Sequence, residues 1–135
     1  MPSSPRVDLI RPPELSDRAP YAYAAVASDV SRLVFTAGAC PIDKDGATVA
    51  VGGIREQTDK VMDNLEIALH AAGAELSDVV KTTIYVASDD RDDLHAAWGV
   101  VRQRFGDHEP PSTLVGVTVL GYRDQLVEVE AVAAQ

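Results

Sequence analysis

The last apolar run of the chain, Leu126–Ala133, reads LVEVEAVA. Side chains alternate along an extended strand, so Leu126, Glu128, Glu130 and Val132 share one face, and Val127, Val129, Ala131 and Ala133 the other. Two carboxylates therefore stand on one face of an otherwise apolar strand. Glu128 reads equally well as part of a solvated face. Glu130 lies deeper in the run, beside Ala131 and Val132, where a carboxylate is desolvated and poised for proton transfer.

The other reactive side chains carry less. Cys40, the only cysteine, stands in TAGACP with no base marked nearby, so a buried structural thiol is the simpler reading. His70, His95 and His108 show no metal-ligand spacing, and no metal site is expected. The DKDG stretch at 43–46 has the composition of a calcium loop, but Ile54 stands where the bidentate Glu is needed; it reads as a turn. Neither a dinucleotide fingerprint, a P-loop nor a nucleophile elbow is present. The stretch PPSTLVGVTVL, Pro110–Leu120, is a more pointed feature. Its prolines break the preceding element, and Ser112 and Thr113 stand at a strand entrance, where ligand-holding residues are often mounted. No charged group stands there.

These residues need a scaffold, and 135 residues with 46% hydrophobic and 24% charged side chains suffice for one domain with a real core. The net charge of −9 and the scarcity of aromatic residues argue against nucleic acid as a partner. No window reaches transmembrane length, and the N-terminus lacks the apolar stretch of a signal peptide, so a soluble cytoplasmic protein is expected.

Residues 1–19 are rich in Pro and Ser and read as an extended arm; residues 20–135 read as a single domain. YAYAAVAS and RLVFTAGA suggest an antiparallel hairpin. Between Gly53 and Gly73, apolar residues recur at three- and four-residue spacings from Ile54 to Ala72 and predict a helix stopped by Gly73. A strand follows, with Val80, Thr82, Ile84 and Val86 on one side. A second helix opens at SDDRDD, capped by Ser88 or an early Asp, with Leu94, Ala97, Trp98, Val101 and Phe105 inward and Gly106 as its end. STLVGVTVL and QLVEVEAVA close an α+β domain. Two amphipathic helices cover one sheet face, and oligomerisation is the economical cover for the other.

The segments PY (20–21), LVFTAGACPID (33–43), QTDKVMDNLEIALHAAGAELSDVVKTTIYV (57–86) and LVEVEAVA resemble the RidA (YjgF, endoribonuclease L-PSP) family from about Pro20 to Ala133. The resemblance implies a chorismate-mutase-like α+β fold, a mixed β-sheet with two helices on one face. It further implies a homotrimer with a central barrel and ligand clefts between subunits. The activity it implies is cofactor-free, metal-free hydrolysis of 2-imino or enamine acids to 2-oxo acids and ammonia. Tyr21, Gly38, Pro41 and Glu130 match family positions, with Glu130 as the water-positioning carboxylate and Tyr21 lining the cleft.

The substrate-binding arginine has no match: the usual PARS or PART reads PPST, which puts Ser112 at its place. Ala37 and Ala39 replace a Ser and a Gln beside the glycine, and Trp98 replaces a frequent Asn. A bidentate Arg–carboxylate contact contributes on the order of 1.5–3 kcal/mol, so its loss weakens a carboxylated substrate by about one to two orders of magnitude. The expected function is therefore hydrolysis at a C=N bond of a less anionic small molecule. Glu130 would activate water, Tyr21 and Ser112 would position the substrate, and Ala37, Gly38, Ala39, Leu114 and Trp98 would wall the cleft. The competing reading is a trimer that binds or senses a metabolite without turnover; RNA cleavage is the weakest. Arg123 and Arg32 are the alternative sources of positive charge.

Overall fold

The computed structural model describes residues 7–135. Its elements in order are β1 (Val7–Ile10), β2 (Ala24–Ala27), β3 (Leu33–Phe35), α1 (Ile54–Ala71), β4 (Val79–Val86), α2 (Arg91–Phe105), β5 (Ser112–Gly116) and β6 (Val127–Ala134). The main sheet has the order β3-β6-β4-β5, and β1-β2 form a separate two-stranded ribbon. β4 and β5 run parallel, while β6 is antiparallel to both β3 and β4. The result is a mixed sheet with α1 and α2 on one face, as expected; a closed barrel is not formed among the described residues.

Two sequence expectations fail at the N-terminal end. Of the arm at 1–19, residues 1–6 lie outside the described ones, and the arm is not free beyond them: Val7–Ile10 pairs antiparallel with Ala24–Ala27. The short β-competent stretch VDLI is masked in composition by the prolines around it. The predicted hairpin is also absent, because β2 pairs with β1 and β3 with β6. The intervening turn, with Asp29 at φ 54°, carries the chain from the ribbon to the main sheet instead of folding it back.

The core lies between sheet and helices. Val61, Met62, Leu65 and Leu69 of α1 meet Ile84, Val86, Val127 and Val129, all fully buried. β6 alternates as its sequence demands: Val127, Val129, Ala131 and Ala133 are buried, and Glu128, Glu130 and Val132 face the other way. β4 departs from expectation by one residue. A register shift between Val79 and Lys81 makes Val80 a bulge, so Val79 rather than Val80 joins Thr82, Ile84 and Val86 in the core. α2 is capped by Asp90, whose carboxylate accepts from the Asp92 N–H at 2.9 Å, and ends at Gly106 with φ 66°.

Gln57, fully buried on α1, ties the helix to the turn before β6. Its Nε2 donates to the Asp124 carbonyl at 2.9 Å, and its Oε1 accepts from the Leu126 N–H at 2.8 Å. Replacing Gln57 with Leu keeps the volume but orphans both backbone groups. The expected loss is about 2–4 kcal/mol of unfolding free energy, read as a lower urea midpoint at unchanged slope. An unchanged midpoint would show that the bridge contributes nothing.

Candidate functional site

The predicted site residues fall into two groups on opposite faces of the main sheet. On the face away from the helices, Glu128 and Glu130 of β6 pair with Tyr85 and Thr83 of β4, and Thr83 in turn pairs with Thr113 of β5. The Tyr85 hydroxyl donates to the Glu130 carboxylate, and this bond raises the Tyr85 pKa above its ordinary value. Glu130 is half-buried rather than sealed in an apolar run. The same face carries Phe35, 71% exposed, and the Lys81 ammonium, which donates to the Thr113 hydroxyl at 2.6 Å.

Glu128 is the carboxylate that stands with the predicted lining loop. Ala39 bridges Val129 through both backbone bonds, which brings the loop alongside β6. At Gly38 a Cβ would run into the Glu128 carboxylate as it is placed, so a larger residue would require that side chain to move. Cys40 Sγ lies 3.4 Å from Glu128 Oε1, and Gln125 Nε2 donates to the same oxygen at 3.1 Å. Burial first, and the Glu128 charge second, push the Cys40 thiol up to about 11. From below, Asn64 of α1 donates to the Cys40 and Ile42 carbonyls at 2.8 and 3.0 Å and holds the loop in place. Ala37 is exposed beside it.

Tyr21, Trp98, Ser112 and Leu114 gather elsewhere. Ser112 and Leu114 pair with Thr82 and Ile84, whose side chains face the helices. Together with Pro20, His95 and Thr113 they line a cavity of about 480 Å³ between β5, α2 and the segment before β2, within the size range of small-molecule sites. Tyr21 and Trp98 meet edge to face, with centroids 6.4 Å apart and planes at 82°. The Ser112 hydroxyl donates to the Pro110 carbonyl at 2.8 Å. Arg11 secures the aromatic wall: its guanidinium donates to the Ala19 and Tyr21 carbonyls at 3.1 and 2.9 Å and pairs with Glu109 at 2.8 Å.

Neither alternative arginine reaches these groups. Arg32 donates to the Ala72 carbonyl and to Gln135, at the C-terminal end of α1. Arg123 lines a separate hollow with Gly46, Thr48 and Asp124. Among the described residues no cluster of His, Cys, Asp and Glu is placed to hold a metal ion, and no helix is long and apolar enough to cross a membrane. Sequence reasoning gave Glu128 even standing as a solvated residue and did not place Tyr85, Gln125 or His95 beside the predicted site residues. Glu128 had one usable signal, since a glycine among small residues at 37–39 marks a close approach. The other three depend on pairing that no local pattern encodes.

Two helices on one face of a mixed sheet with a carboxylate-bearing inner strand are the architecture of Rid-type proteins, and similarity to known proteins agrees. The endoribonuclease L-PSP family profile matches residues 14–135, and the chain belongs to that family. It is 38% identical over 104 residues to a RutC family protein of Pyrococcus abyssi, covering 77% of this chain and 80% of that one. It is 29% identical over 116 residues to the human 2-iminobutanoate/2-iminopropanoate deaminase, covering 86% and 80%. Among solved structures, the Rid family protein YyfB of Yersinia pestis superposes with a TM-score of 0.89 at 26% identity, covering 96% and 99%. The YjgF gene product of E. coli superposes with a TM-score of 0.68 at 28% identity, covering 87% and 90%.

Two expectations follow from these contacts. Glu128→Gln removes the charge beside the thiol, so the Cys40 pKa falls from about 11 toward its ordinary value while burial keeps it above 9.0. Alkylation of Cys40 near pH 9 is then faster in the variant, and an unchanged pH profile would refute the contact. Arg11→Met releases the Tyr21 wall, and the emission of Trp98, the sole tryptophan, is expected to shift to the red with the far-ultraviolet dichroism unaltered. An identical spectrum would mean Arg11 does not hold that wall.

Proposed function

We propose that the protein hydrolyses the C=N bond of a small reactive imine, or its enamine tautomer, to a carbonyl compound and ammonia. A water oxygen adds to the imine carbon as a carboxylate takes one water proton. That proton passes to nitrogen and gives a carbinolamine; the carboxylate then carries the remaining hydroxyl proton to nitrogen, so that the C–N bond breaks, ammonia leaves and the C=O bond forms. The observation that carries this reading is the Glu128 carboxylate held under the Gly38 loop, with Glu130 on the same face. The sequence pointed to Glu130 for water activation. Glu128 is the better placed of the two, because Gly38 of the expected cleft wall stands against its carboxylate. The human relative's 2-imino acid deaminase activity supports the reaction type. Ser112 in place of a cation supports a substrate less anionic than a 2-imino acid.

Within one chain the aromatic cavity opens beside the edge strand β5, and the sheet separates its Tyr21 and Trp98 wall from the carboxylates. We infer that neighbouring copies in a homotrimer bring one group against the other; the exposed Phe35 and Leu33 on the carboxylate face support such an assembly. The net charge of −9 gives ribonuclease chemistry no comparable support.

Ammonia release from a neutral imine and from 2-iminobutanoate tests the proposal. Turnover of the neutral imine is expected to exceed that of 2-iminobutanoate, and Ser112→Arg to lower KM for the latter by about one to two orders of magnitude. Glu128→Gln should reduce kcat by at least about 100-fold, and Glu130→Gln by less. Full turnover in Glu128→Gln would overturn its role. Stabilisation by carbonyl compounds with no turnover of any imine would instead establish the binding-only reading. Mixing Glu128→Gln subunits with cavity-blocked Ser112→Tyr subunits should restore activity that neither has alone.

A further inference from the structure

The cavity beside β5 has a chemical character of its own. Tyr21 and Trp98 present an edge and a face at nearly a right angle, a corner into which a third ring fits by offset or edge contact. The Ser112 hydroxyl, at the place of the lost charge, donates to the Pro110 carbonyl, and the Thr113 hydroxyl accepts from the Lys81 ammonium. His95 lies one turn before Trp98 on α2, so both project to the same side. Its imidazole lines the cavity and has no hydrogen-bond partner among the described residues.

Building on the hydrolytic reading above, we propose that this cavity selects imines bearing an aromatic ring. The ring lies in the Tyr21–Trp98 corner, and His95 hydrogen-bonds a polar substituent at its far edge. Recognition thus passes from a carboxylate clamp to ring shape and stacking, and the reacting carbon is left to point out of the cavity toward the carboxylates of a neighbouring copy.

Carbonyl products serve as stable probes, and binding is measured by calorimetry together with the Trp98 indole N–H resonance. Phenylacetone is expected to bind at least about tenfold more tightly than 2-butanone and to shift that resonance. Phenylpyruvate should gain no more than about twofold over phenylacetone, as no lysine or arginine among the described residues lines the cavity. His95→Ala should erase any preference for 4-hydroxyphenylacetone over phenylacetone and leave phenylacetone binding intact. Trp98→Leu, and independently Tyr21→Leu should either variant fold poorly, should abolish the aromatic preference.

Equal affinity for 2-butanone and phenylacetone would overturn the proposal, as would a tenfold gain from the carboxylate. Because binding is read without turnover, inactivity toward every imine would sink the hydrolytic reading and leave this result standing. Turnover of aliphatic imines with no aromatic preference would do the reverse.

Discussion

Everything in this molecule hangs on the two-faced character of β6. The strand sits inside the sheet between β3 and β4, so its side chains must satisfy two environments at once. Val127, Val129, Ala131 and Ala133 complete the core under the helices, and the alternate positions put Glu128 and Glu130, followed by Val132, on the far face. A one-residue slip would bury both glutamates against Ile84 and Val86, at a desolvation cost no nearby cation could offset. The strand's register is thus set by the same carboxylates that give the far face its chemistry.

The helices do more than cover the sheet. α1 reaches past its apolar stripe with two amide side chains: Gln57 holds the backbone entering β6, and Asn64 holds the carbonyls of the Cys40–Ile42 loop. Both are directional constraints that an apolar contact could not supply, because hydrogen bonds fix orientation where hydrophobic burial fixes only proximity. Glu128 is therefore positioned from two sides, by its strand and by the loop that Asn64 carries. Arg104 then locks α2 to α1 through Asp63 and Glu66 at 2.8 and 2.7 Å.

Placing the aromatic cavity and the carboxylates on opposite sheet faces has a consequence for specificity under the proposed function. In a site of this kind the aromatic half can change its preference without disturbing the carboxylates, since the residues share no contacts. Trp98 and Ser112 illustrate that freedom. They lie on the helix side of β5, away from the close approach of Gly38 to the Glu128 carboxylate.

Much of the architecture was legible in residue order. Both helices, with the Gly73 and Gly106 stops, follow from three- and four-residue spacing, and the β6 faces follow from strict alternation; these are local rules that need no knowledge of partners. The pairing of β2 with β1 was not legible, nor was the bulge at Val80, because strand choice and register depend on which distant edge is free. The same division holds for the site. The sequence alone determined that an α+β domain would carry carboxylates on one strand face and an uncharged entrance at Ser112. Only the tertiary structure decided that Glu128 rather than Glu130 meets the Gly38 loop, and that Ser112 turns to the helices with Trp98 and His95. The physical reason is that alternation sets a face, whereas which groups touch across a sheet is set by long-range pairing and by the loops folded over it.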